Sequence, residues 1–125
     1  MSILSAMTTL ELCDTVAGTA YIGQLLFTPE AFMRDNFKDG GGGGGASMCR
    51  YAGVFLIGLR LNSILLQTKA PGLRKEFSRN AAIVWGLCGV LSVMFWDEGK
   101  TPNLYVNLGL QCIFTAGFLW QAYGK

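Results

Sequence analysis

Histidine is missing from this chain of 125 residues. Its absence removes the commonest protein ligand of metal ions and the usual general base near neutral pH. A bis-histidine haem site, a histidine-ligated zinc site and a Ser-His or Cys-His nucleophile are therefore excluded. Because the sequence also offers no paired-acid site, we expect that the protein is not an enzyme.

Charged residues are scarce, at 14% of the chain against 51% apolar residues. Ordinary globular chains contain about 25% charged residues. A small soluble protein exposes a large share of its surface and needs charged side chains to cover it. The mean hydropathy of +0.38 agrees with a surface that contacts lipid instead of water. A net charge of +2, without a stripe of Lys and Arg among aromatics, also argues against a nucleic-acid partner.

The cysteines form no CxxC pair, which argues against a zinc ribbon or a redox dithiol. Each falls in or at the end of a different apolar segment. We expect buried free thiols that act as small apolar groups, and a disulfide at the membrane edge is the alternative. The four residues are Cys13, Cys49, Cys88 and Cys112.

The apolar residues are gathered in four segments, with approximate bounds of 3–27, 47–67, 80–96 and 103–123. A transmembrane helix needs about 20 mostly apolar residues. The last two segments contain no charged residue, whereas a helix of a soluble bundle would carry a charged stripe. We therefore predict an all-α protein, an integral membrane four-helix up-down bundle that forms a single domain over residues 1–125.

The polar stretch 29–46 ends in an unbroken glycine run, 40–45. Glycine has the highest entropic cost of ordering and offers no side chain to pack, so we predict a flexible loop here. Residues 30–37 fit a short amphipathic turn on the membrane surface. A phosphate-binding loop would need a Lys-Ser/Thr ending that this stretch lacks.

Loop charge predicts the orientation of the bundle. Four helices place both termini and the connection 68–79 on one side of the membrane. By the positive-inside rule, that side is the cytoplasm, stroma or matrix. The connection holds the largest group of basic residues, Lys69, Arg74, Lys75 and Arg79.

Three ionisable residues fall inside apolar segments, where charged groups are costly and indicate function by default. If the first two helices are antiparallel neighbours, residues at equal depth have numbers that sum to about 74, as Asp14 and Arg60 do. Glu11 lies one turn from Asp14 on the same face, so we expect both acids to meet the one arginine. We interpret the group as a structural ion pair that sets the helix register. A ligand or lipid-headgroup contact for Arg60 and a proton or substrate path are the alternatives.

Pigment binding needs no histidine, because the magnesium of chlorophyll accepts oxygen ligands. The candidate cofactor-binding residues are Asn62, Gln67, Asn107 and Gln111. Hydrogen bonds between helices are the other use of such side chains. Small residues at Gly86 and Gly89 allow close approach of a helix, a flat pigment or a lipid. The cofactors considered are chlorophyll, carotenoid or lipid, and no metal site is predicted.

From Arg50 the chain reads RYAGVFLIGLRL, and a basic turn, a charge-free helix, the turn DEGKTPN and another charge-free helix follow. This order resembles small four-helix membrane proteins of the DoxX-like kind, over about residues 12–123. The resemblance implies an up-down bundle and supplies no catalytic residues. In style, the chain also resembles small accessory subunits of algal photosystem or respiratory complexes, which are short, membrane-embedded and poor in ionisable groups.

Two functions follow as hypotheses. The first is a non-catalytic accessory subunit of a larger membrane complex, and the expected host is a photosynthetic complex. Its partners are then other membrane subunits and the bilayer. The thylakoid membrane is then the expected location, and the mitochondrial inner membrane is the alternative. The second is a free-standing DoxX-like protein that carries or modifies a hydrophobic substrate.

Overall fold

A computed structural model describes residues 6–37, 45–94 and 102–124. This part of the chain is helical and contains no strand, which confirms the all-α class. A 3-10 turn at Pro71–Leu73 joins the third and fourth helices. The helices are α1 Thr9–Phe27, α2 Pro29–Asn36, α3 Gly45–Lys69, α4 Arg74–Met94 and α5 Asn103–Tyr123.

Helix α1 begins later than the predicted residue 3, because Thr8 caps it. The hydroxyl of Thr8 accepts a hydrogen bond from the backbone N–H of Glu11 at 3.2 Å. The Glu11 carboxylate accepts one from the backbone N–H of Thr8 at 2.8 Å. This reciprocal capping box satisfies two N–H groups at the helix start. Residues 3–5 lie outside the described part of the chain.

Helix α2 occupies the first half of the stretch that we predicted to be a flexible loop. Pro29 is at the first helical position, where its fixed φ and missing N–H are tolerated. The ring of Phe32 packs edge-to-face on Tyr21 of α1, with centroids 5.3 Å apart. Short-range packing therefore orders this segment as a helix. Residues 40–44 of the predicted flexible glycine run lie outside the described residues, and its last residue, Gly45, begins α3.

Helix α4 begins at Arg74, six residues before the predicted start at residue 80. The connection after α3 is correspondingly short and consists of Ala70 and the 3-10 turn. The charged residues in 74–79 favoured a loop in the sequence, yet they form the first turns of the helix. Residues 95 and 96 lie outside the described chain, and α5 has its predicted bounds, 103–123.

The helices pack mainly as two pairs, α4 against α5 and α1 against α3, with α2 lying on α1 and α3. The two pairs meet where Leu10 and Ala17 of α1 contact a small core of Ala82, Phe114 and Phe118. Leu10 also lies on Gly117 of α5, where a Cβ atom would be 2.9 Å from the Leu10 side chain. Close approach at this glycine brings α1 against the α4–α5 pair.

Two described helical stretches, Gly45–Lys69 and Pro71–Met94, are long and apolar enough to cross a membrane. The mean hydropathy of the best window is 1.3 in each, and only 11% of each window is buried inside the protein. Their large apolar side chains, such as Phe55 and Val84, therefore point away from the protein. The four-helix membrane bundle includes α1 and α5 as further spans, which stay a prediction.

Candidate functional site

Asp14 and Arg60 lie at the same depth on α1 and α3. Nη1 of Arg60 donates to Oδ2 of Asp14 at 2.8 Å, and both side chains are largely buried. The second oxygen of Asp14, Oδ1, accepts a hydrogen bond from Nε1 of Trp85 at 3.0 Å. One carboxylate thus holds three helices together, α1, α3 and α4.

Gly18 provides the space that the Arg60 guanidinium occupies. A Cβ atom at Gly18 would overlap Nη2 of Arg60 and lie 2.6 Å from Cζ and 2.9 Å from Nε. Gly18 is one helical turn from Asp14, so the guanidinium lies against α1 at Gly18 while it donates to the carboxylate. The sequence alone does not predict this requirement, because a single glycine in a helix has several explanations.

Glu11 has a different partner from the predicted one. Its Oε1 accepts from Nε of Arg74 at 2.9 Å, and Nη2 of Arg74 also donates to the carbonyl of Ala6 at 2.8 Å. The expectation that Glu11 and Asp14 share Arg60 is therefore wrong. Glu11 is one turn nearer the start of α1, which places it level with the first residue of α4.

Three further side chains extend the hydrogen-bond network around Glu11. Gln121 of α5 donates from Nε2 to Oε1 of Glu11 at 3.1 Å and to Oγ of Ser78 at 2.8 Å. The hydroxyl of Thr8 donates to Oε1 of Gln121 at 2.7 Å. We call this group the polar layer: Thr8, Glu11, Arg74, Ser78 and Gln121.

Both buried carboxylates, Glu11 and Asp14, accept hydrogen bonds from donors of the protein itself. Glu11 is fully buried and receives an arginine, an amide and a backbone N–H. A general base would need a lone pair that a substrate can reach. The arrangement suits a structural role, which fixes the register of the helices.

The candidate pigment ligands do not converge on one site. Asn62 is exposed on α3. Asn107 donates from Nδ2 to Oδ1 of Asn36 at 3.0 Å, which ties α5 to α2. Gln111 accepts from the hydroxyl of Ser92 at 3.1 Å, which ties α5 to α4. Two of the four candidates therefore make the interhelical hydrogen bonds that were the alternative use of these side chains.

Gln67 lies inside the protein, with only 2% of its surface exposed. Neither its Nε2 nor its Oε1 has a hydrogen-bond partner among the described residues. A ring system as large as chlorophyll cannot reach a side chain that is enclosed in this way, so the expectation of a peripheral pigment ligand is wrong for Gln67. A buried amide without partners is unfavourable by about 1–3 kcal/mol.

An apolar groove runs along α4 and α5. Its volume is about 580 Å³. Gly86 and Gly89 lie on its α4 side, and the nearest atoms to a Cβ at these positions would belong to Thr115 and Gln111. The sequence indicated close approach at these glycines, but not that a groove would result. The lining residues are Trp85, Gly86, Gly89, Val90, Val93, Met94, Leu108, Gln111, Cys112, Thr115, Ala116 and Leu119.

All four cysteines are free, so the disulfide considered as an alternative is not formed. Cys49 is buried and the other three are exposed. Cys49 Sγ lies 3.2 Å from Sδ of Met33 on α2. Among the described residues, no group of three His, Cys, Asp or Glu side chains is placed to hold a metal ion.

Comparison of the chain with protein-family models, curated proteins and solved structures finds no match. The resemblance to DoxX-like proteins and to photosystem accessory subunits therefore stays a prediction from the sequence pattern.

Proposed function

We propose that this chain is a four-helix integral membrane protein that serves as a non-catalytic accessory subunit of a larger membrane complex. The observation that carries the proposal is the distribution of polarity. Buried acids contact arginines inside the protein, whereas the outer surface is covered by large apolar side chains.

The placement of polar side chains inside the protein and apolar side chains on its surface supports membrane insertion of α1 and α5 as well. The two acids of α1 lower its mean hydropathy, which counts buried and exposed residues equally. Glu11 and Asp14 are buried in the interior, however, and would not contact lipid. The outward face of α1 carries residues such as Val16 and Phe27, which are 69% and 83% exposed. Ile113 on α5 is 65% exposed. Lipid would contact apolar groups on all four long helices, as insertion requires.

An accessory role fits the chemistry of the interior. Both buried carboxylates are engaged by protein donors, and two of the four amide candidates make interhelical bonds. The exposed apolar surface and the α4–α5 groove are the features left for contact with other molecules. Such surfaces serve for packing against neighbouring subunits or apolar cofactors.

The host that we propose is a photosynthetic complex of the thylakoid membrane, on the strength of the resemblance in style to algal accessory subunits. Peripheral chlorophyll, carotenoid or lipid would then lie in the α4–α5 groove. The mitochondrial inner membrane is the alternative location.

The α4–α5 groove also favours a second candidate function. A free-standing protein could carry a hydrophobic substrate there, because the lining is apolar and open to the outside of the helix pair. The two functions differ in the size of the particle that contains the chain.

Extraction of the tagged chain from its native membrane in a mild detergent tests the proposal. Blue native electrophoresis gives the particle mass, and the absorption spectrum of the same band shows pigments. We expect comigration with a large complex. A colourless particle near the monomer mass contradicts the accessory role and supports the free-standing carrier.

A further inference from the structure

The described basic residues form salt bridges at one end of the helices, near α2, and two of them form none at the other end, at the start of α4. At the end near α2, Arg50 contacts Glu30 at 3.1 Å and Arg34 contacts Asp35 at 3.2 Å. At the start of α4, Lys75 and Arg79 are exposed, and neither forms a salt bridge with a carboxylate of the described chain. Of the described basic residues at these two places, those without a carboxylate partner therefore lie only at the start of α4.

Lys75 and Arg79 lie on the face of α4 that forms the groove. They are four residues apart, so they are neighbours on the helix surface. Steps of seven residues, which return to nearly the same face, lead from Arg79 to Gly86 and then to Val93. Gly86 and Val93 line the groove. The basic pair thus precedes the groove along one face, with Arg79 about 10 Å from Gly86 along the helix axis.

Helix α5 contributes the other side of this entrance. Nζ of Lys75 lies 5.4 Å from the centroid of the Tyr123 ring, a cation–π contact. Leu119, one turn before Tyr123, lines the groove, as does Cys112 seven residues before Leu119. The apolar groove between the two helices therefore ends beside Lys75, Arg79 and Tyr123.

We propose that this groove binds one anionic phospholipid, with its phosphate on Lys75 and Arg79 and an acyl chain between α4 and α5. The inference rests on the proposed membrane placement, which puts the start of α4 at headgroup level. Lys and Arg form charge-assisted hydrogen bonds with phosphate oxygens. Glycines on the floor of the groove let a chain approach the helix backbone and gain dispersion contacts.

An acidic peptide is a poorer fit for the same charges. The groove extends from Leu119 to Met94, well into the apolar part of the helix pair. A peptide there would place backbone N–H and C=O groups in hydrocarbon without partners. A lipid tail has no polar groups to satisfy.

Native mass spectrometry of the full chain in detergent tests the site. Phosphatidylglycerol or phosphatidylcholine with identical acyl chains is added, and the lipid-bound fraction is measured. The wild-type chain is expected to retain phosphatidylglycerol preferentially. The double variant Lys75→Gln/Arg79→Gln is expected to retain about thirtyfold less phosphatidylglycerol, because each basic residue near an anionic headgroup supplies about 1 kcal/mol. Its retention of phosphatidylcholine should be unchanged.

Two matched controls separate the headgroup from the chain. Arg34→Gln/Arg50→Gln removes the same charge at the other end and should leave phosphatidylglycerol retention unchanged. Gly89→Leu fills the groove and should reduce retention of both lipids. Gly58→Leu, at a glycine of α3 with no atoms within 4 Å of its Cβ position, should reduce neither.

Equal retention of the two lipids by the wild-type chain would overturn the proposal. Loss of phosphatidylglycerol to millimolar inorganic phosphate would also overturn it, because the cations would then bind phosphate without the chain. Failure of the site leaves comigration with a large complex unaffected, so it is distinguishable from failure of the accessory role. Extraction of the chain from membranes by alkaline carbonate would instead contradict the membrane placement itself.

Discussion

Arg60 reaches across the α1–α3 interface and donates to Asp14 at 2.8 Å, and its guanidinium occupies the space beside Gly18. The two residues are 46 positions apart in sequence, and their contact joins α1 to α3. Because both groups are largely buried, each depends on the other for compensation of its charge. Glu11 depends in the same way on Arg74, which donates to its buried carboxylate at 2.9 Å.

Removal of one charge from the Asp14–Arg60 pair should destabilise the protein more than removal of both. We expect Asp14→Leu or Arg60→Leu alone to cost about 3–5 kcal/mol, because the remaining charge is buried without a partner. The double variant should cost less than either single one. SDS titration in mixed micelles, followed by tryptophan fluorescence, measures the free energy of unfolding.

This comparison is best made in a Trp85→Phe background, because Trp85 also donates to Asp14 and would otherwise lose its acceptor. A double variant as unstable as the worse single variant would show that the pair does not stabilise the helix interface.

Gly18→Ala should weaken the same contact without removing either charge. The added methyl group overlaps the Arg60 guanidinium, and overpacking of this kind costs about 1–3 kcal/mol. Gly23→Ala is the matched control on α1, since its Cβ position has no atoms within 4 Å. It should be neutral or stabilise by up to about 1 kcal/mol, because alanine favours helix. Equal effects of the two variants would contradict the placement of Arg60.

Arg74→Gln should destabilise the protein, and Arg79→Gln should not. Arg74 is the cationic partner of Glu11, whose carboxylate is fully buried. Its loss should cost about 3 kcal/mol, because an unpaired buried charge remains. Arg79 is exposed five residues further along the same helix. Thermal unfolding of both variants in detergent without added lipid makes the comparison, and similar melting temperatures would contradict the pairing.

Gln67→Met and Gln121→Met should have opposite effects. The Gln67 amide is buried without hydrogen bonds, so an apolar side chain of similar size should stabilise by about 1–3 kcal/mol. Gln121 makes three side-chain hydrogen bonds in the polar layer, and its replacement should destabilise. SDS titration measures both changes. Destabilisation by Gln67→Met would mean that a bound polar molecule satisfies this amide.

The sequence predicted the Asp14–Arg60 contact because antiparallel helices of known ends place residues at matching depths. It did not predict the partner of Glu11, because Arg74 lies in a charged stretch that resembles a loop. The helical start of α4 depends on tertiary bonds from Arg74 and Ser78 to other helices, which no local pattern reveals.

The same limit applies to the groove and to Gln67. Gly86 and Gly89 indicated close approach, but whether a neighbour fills that space depends on how α4 and α5 are rotated about their axes. Gln67 is two turns from Arg60 on the same face, which is the interior face of α3. The fold class is therefore readable from composition, whereas the contacts of single polar side chains are not.

Whether α5 crosses the membrane in addition to α3 and α4 is the most direct test of the account, and the side on which Tyr123 lies decides it. Single cysteines at Asp35, Gly72 and Tyr123 in a chain without native cysteines can be labelled with a membrane-impermeant maleimide in sealed vesicles. Four spans place positions 72 and 123 on one side and position 35 on the other. If only α3 and α4 cross, position 123 is labelled from the side of position 35, which would contradict the four-helix membrane bundle.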